Sequence, residues 1–184
     1  QPADTTSPET ALVQALARMD EVFLAIRGKS LFREHPYRNE VLSRIHRFRS
    51  TNEKGLLALA KDMARLTADS IDIAALQEIA APPKGEKWGS LKSLEKVLAT
   101  VCAPEEARRA LTPLVGTYQL RLADAHLPGS ELAEAMKLAG IDDSIPTLHQ
   151  GQTLITNCAA AGAVIGSLLE RLANSTCEES HGTK

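Results

Sequence analysis

The stretch LVGTYQLRLADAHLPGSELAEAMKLAG fills residues 114–140. It reads as helix, break, helix, stop. Its first half carries helix formers up to Leu127. Pro128 then disfavours a helical residue before it and cannot continue the turn. Ser130 is an N-cap residue type, and Gly140 offers the left-handed conformation that ends a helix. No convincing strand is read here or elsewhere in the chain.

The same grammar extends outward. Pro104, followed by Glu105 and Glu106, predicts a first helical turn, because a proline there loses no intrahelical bond and acids favour the positive end of the dipole. Pro113 is expected to kink or restart that helix. Upstream, Leu12, Val13, Leu16, Met19, Val22, Phe23 and Ile26 recur at spacings of three and four, predicting an amphipathic helix over 9–27 that Gly28 ends. A helix carrying Val41, Leu42, Ile45 and Phe48 is expected next. Asn52 caps another, 71–80 forms a short one, and 81–90 is a loop rich in proline, glycine and charge. Ser90 opens a further helix. Downstream, a long final helix runs over about 147–174, with a face of small residues, CAAAGAVIGSLL, that permits close approach. Aromatic residues are only 3% of the chain, which argues against a sandwich of strands. The predicted fold is all-α, an irregular up-and-down bundle of five to eight helices. Residues 1–10 read as a polar linker, 11–174 as a single helical domain and 175–184 as a polar tail. The opening at Gln1 suggests a domain cut from a longer chain, with a trimmed leader as the alternative.

The net charge of -2 and a pI of about 6.2 mean that any nucleic-acid surface must be local. No run of about 18 apolar residues is present, so no membrane partner is expected. Three dispersed cysteines (Cys102, Cys158 and Cys177) form no disulfide framework and no CxxC zinc site. They favour a reducing, cytoplasmic location. His149 with Asp142 and Asp143 has no metal-ligand spacing. No cofactor is expected, and no phosphate-cradling glycine pattern occurs.

Within the opening stretch, Arg121 and His126 suit metal-independent RNA cleavage. A histidine that titrates near neutrality can take a proton from a ribose 2′-OH. An arginine stays charged and binds phosphate oxygens in pairs, which stabilises a pentavalent transition state. The product is a 2′,3′-cyclic phosphate. Residues five apart on an ideal helix diverge by about 140° and about 7.5 Å along the axis, so the pair does not share one stripe. The structural alternative is plain: Arg121 pairs with Asp124, and His126 charges the end of the helix.

LRLADAHLP, with Leu120, Arg121, Ala125 and His126 in register, resembles the R-x4-6-H motif of the HEPN superfamily. That resemblance implies a helical bundle that forms a homodimer and builds one ribonuclease site from the Arg and His of both copies. It implies a toxin or defence effector, with RNA as substrate and an antitoxin or the remainder of a larger parent chain as partner. On this reading Arg121 and His126 are catalytic, and Asp124 and Tyr118 orient them. Tyr118 lies three residues before Arg121, within reach on a helix. Arg38, Arg44 and Arg47, from the basic stretch 31–49, would hold the RNA backbone. Leu122 departs from the motif, which has a polar residue there. That departure leaves open a non-catalytic helical dimerisation or docking module of a larger protein.

Overall fold

The computed structural model describes residues 6–126 and 129–181, and their side chains except at 123–126, 129 and 176–181. The described residues form eight α-helices: α1 (Pro8–Arg27), α2 (Arg38–Arg44), α3 (Glu53–Leu66), α4 (Ile73–Gln77), α5 (Ser90–Leu98), α6 (Pro104–His126), α7 (Gly129–Leu138) and α8 (Thr147–His181). A 3-10 turn, Arg47–Arg49, sits between α2 and α3. The fold is an all-α bundle. The one extended pairing among the described residues is an isolated bridge between Phe32 and Ile71.

Helix ends follow local chemistry. The Ser7 side chain accepts from the Thr10 amide, Asn52 from Gly55 and Asp72 from Ala75, each satisfying a first-turn N–H. Gly28 closes α1 at φ 64°, a conformation that costs glycine little. Four boundaries differ from expectation. Pro113 lies inside one uninterrupted α6. Helix α1 opens at Pro8, within the segment read as linker, and α8 continues through 175–181. Helix α7 starts at Gly129, one residue before the expected cap.

The largest difference is at α2, which stops at Arg44 although the apolar pattern continues to Phe48. The cause is tertiary. Continuing the helix would aim the Arg47 amide at the Ser43 carbonyl. Instead Glu9 on α1 takes that amide at 3.1 Å and the Arg47 guanidinium at 3.1 and 3.0 Å. A charged acceptor outcompetes a backbone carbonyl. Val41 and Ile45 stay buried, and Phe48 is left 66% exposed.

Helix α8 is the axis of the bundle. It packs along α1 and also meets α3, α5, α6 and the 3-10 turn. Its small residues let α1 come close: a Cβ at Gly162 would lie 3.0 Å from the Ala15 Cβ, and one at Gly166 3.8 Å from Arg18. Gly162 and Gly166 are thus used within the chain, while Ala160, Ala163 and Ser167 stay exposed. By length and composition the stretch Thr147–Ser175 could cross a membrane, with mean hydropathy 1.4 and 56% of its most apolar window buried inside the protein. It passes because no charge interrupts 150–169, although no unbroken apolar run occurs.

Helix α6 is held to this axis at Thr117, whose hydroxyl lies 3.1 Å from the Cys158 sulfur and donates to the Pro113 carbonyl at 2.8 Å. One residue earlier, Gly116 faces the backbone of Leu138 and Ala139 at the end of α7. A methyl group there collides with main chain, which cannot rotate away. Gly116→Ala is expected to destabilise the protein by about 1–3 kcal/mol despite alanine's better helix propensity, as a lower midpoint in urea.

Burial alone would raise the Glu9 carboxyl pKa. Hydrogen bonds from backbone amides, Arg47's among them, and from the Arg47 side chain outweigh it and hold the pKa below the ordinary value of 4.5. A lowered folded-state pKa stabilises at neutral pH, and that contribution is lost as pH falls through the folded value. Glu9→Gln should cost about 1 kcal/mol at pH 7 and less at pH 3, measured by urea unfolding at both.

Candidate functional site

A groove of about 730 Å³ lies between α2, the segment before it and the end of α3. Arg33, Arg38, Arg44 and Arg65 line it, with His35 and Tyr37 at one side and Glu34, Glu40 and Asp69 among them. Two further arginines bond to carboxylates at its margin: Arg49 to Asp62 at 2.6 Å, and Arg121 to Asp69. With Asp62 counted, six guanidinium groups face four carboxylates, in a chain whose net charge is -2. The local surplus is positive.

The ion pairs differ in kind. Asp62 has a side chain only 6% exposed and is gripped by Arg49 and Arg65, the latter at 3.1 Å. That triad ties α3 to the turn before it. Glu40 and Arg44 pair along one face of α2. Arg38 rests over the Phe32 ring at 5.5 Å and makes no ion pair among the described residues. Arg33 donates to the Asp69 carbonyl at 2.5 Å, and its amide bonds to the Ser70 carbonyl at 2.7 Å. Tyr37 is 61% exposed, its ring 5.7 Å from that of His35, whose Nδ1 accepts from the Tyr37 amide. This exposed pair is a surface on which a base could stack.

The sequence-predicted residues separate into four groups. Arg38 and Arg44 line the groove. Arg121 reaches its edge, with both oxygens of the Asp69 carboxylate on Nη1 and its guanidinium carbon 5.3 Å from the Tyr118 ring centre. Arg121 and Tyr118 therefore meet as their spacing predicts. Arg47 does not join them: Glu9 holds it on the α1 side of the chain at 28% exposure. The α6 backbone continues to His126, but the side chains of Asp124 and His126 lie outside the described residues. Leu122 is 46% exposed, so the residue that departs from the R-x4-6-H pattern belongs to the surface.

Sequence reasoning missed Asp69, Arg33's link to it, and Arg65. Asp69 lies 52 residues from Arg121. The nearer Asp124 was the carboxylate that spacing offered, and no local signal marks the distant one.

Among the described residues no three His, Cys, Asp or Glu side chains converge as a metal-binding set. Burial pushes the Cys158 thiol up to about 12, against a lowering contribution from the Thr117 hydroxyl. Such a thiol supplies no thiolate near neutrality. Comparison of the chain with known protein families, curated proteins and solved structures returns no match. Alkylation with iodoacetamide at pH 8, followed by peptide mapping, should leave Cys158 unmodified in the folded protein and label it fully in urea.

Proposed function

We propose that this chain is a HEPN-like, metal-independent endoribonuclease domain that cleaves RNA through a 2′,3′-cyclic phosphate, working as a homodimer. The observation that carries the reading is the meeting of Arg121, from the R-x4-6-H motif, with the edge of a groove lined by four arginines. Arg38 and Arg33 receive backbone phosphates, Tyr37 and His35 take a base, and Arg121 neutralises the scissile phosphate. His126 accepts the 2′-OH proton as the 2′-O–P bond forms. A second His126, from the other copy, protonates the departing 5′-oxygen as the P–O5′ bond breaks. The exposed Leu122, beside Arg121, is an apolar contact for that second copy. Toxin or defence activity, restrained by an antitoxin or by a larger parent chain, fits such a reaction.

One observation favours the second reading, a non-catalytic docking module. Arg121 already has Asp69 and Tyr118 as partners, which is how a purely structural arginine would be held.

RNA incubated with the protein in EDTA separates the two. The nuclease reading expects 2′,3′-cyclic phosphate ends, with His126→Ala and Arg121→Ala each slowing cleavage by about 10²–10⁴. Cleavage that survives both substitutions, or that EDTA abolishes, contradicts the mechanism. A folded wild type that never cleaves leaves the docking module.

A further inference from the structure

Two guanidinium groups converge on Asp69 from different elements. Arg33 holds its main-chain carbonyl and Arg121 its carboxylate. A carboxylate on a guanidinium occupies the same donors that a phosphate oxyanion would use. We propose that this end of the groove is a phosphodiester-binding site that the chain keeps closed with its own carboxylate: Asp69 is a latch on Arg121. The proposal rests on the groove's receiving RNA, as above, but not on cleavage.

The contrast with Asp62 carries the argument. Asp62 is buried, with two arginine partners, and removing either would strand a charge out of water. Asp69 is 33% exposed and Arg121 31% exposed. Among the described residues Arg121 is the only partner of the Asp69 carboxylate. Water still reaches both ends of this part-buried pair, so it is held less firmly than the Asp62 triad. If a phosphate takes Arg121, the released carboxylate rehydrates where it stands. The exchange is therefore cheap, and the incoming phosphate also meets Arg33, which Asp69's carbonyl already orients toward this end of the groove. With no ligand, the latch lowers the positive potential at Arg121 and suppresses binding of stray anions.

The test measures binding of the full chain, at low salt, to a fluorescein-labelled single-stranded RNA pentamer and to inorganic phosphate. Asp69→Asn keeps the side chain's shape and removes its charge. It should tighten RNA binding about two- to fivefold, the range expected when a competing ion pair that water still reaches is removed. Arg121→Ala should weaken binding, and Asp69→Asn should give no gain in that background. Asp62→Asn, the control, should lower thermal stability without tightening binding. Unchanged or weaker RNA binding by a folded Asp69→Asn protein, or no binding by either form, overturns the latch. A gain for inorganic phosphate with none for RNA overturns the phosphodiester as ligand. An Asp69→Asn gain with no cleavage by any variant removes the nuclease reading and leaves the latch. Cleavage by wild type without that gain does the reverse.

Discussion

The close approach of α8 to α1 is the constraint from which the other placements follow. Gly162 and Gly166 leave room for Ala15, Met19 and the stem of Arg18, so two long helices meet at the separation small residues allow. Once α8 is buried along one side, its remaining faces must be covered. Helices α3, α5 and α6 do this, with Leu59 of α3 beside Gly151. A core this dense stabilises through many small contacts rather than any one bond. Its polar groups are satisfied where they are buried, as Ser50 is by the Thr147 carbonyl at 2.8 Å.

The position of Arg121 is a consequence of that packing. Thr117 meets Cys158 on α8, and Leu120 is fully buried. The residue after Leu120 must therefore leave the core on the flank of α6, where α3 is the neighbouring helix. Asp69 stands just beyond the end of α3, at the place Arg121 can reach. The groove and the motif are neighbours because α3 and α6 pack together. Nothing in either segment alone would bring them into contact.

Competition between local and distant partners explains the departures from expectation. The apolar period through Phe48 is real, but one carboxylate on α1 captures the Arg47 amide and ends the helix. Asp20 acts similarly further along α1: it takes the amides of Leu31 and Phe32 and the Ser30 hydroxyl, fixing the strand-like turn that leads into the groove. In both cases an acid on an early helix captures amides outside its own helix. Helical periodicity reports which face is apolar, and it is silent on which backbone amide a charged side chain will claim.

Much of the architecture was legible from residue order alone. The apolar period of α1 specifies a helix, and Gly28, Asn52, Ser90 and Pro104 mark where helices end or begin through short-range sterics and capping. The Arg121–Tyr118 contact was legible for the same reason, since three residues on a helix fix a neighbour. The carboxylate partners were not. Asp69 for Arg121, Asp62 for Arg49, and Glu9 for Arg47 are choices made among many carboxylates. Each choice depends on which helix flanks come to lie side by side. Coulomb attraction between exposed groups is short-ranged in salt water, so it selects partners only after packing has brought them within a few ångströms. The sequence by itself determined an all-α chain with an arginine and a histidine near a helix end. Tertiary structure alone decided that this arginine closes on Asp69 at the edge of an arginine-lined groove.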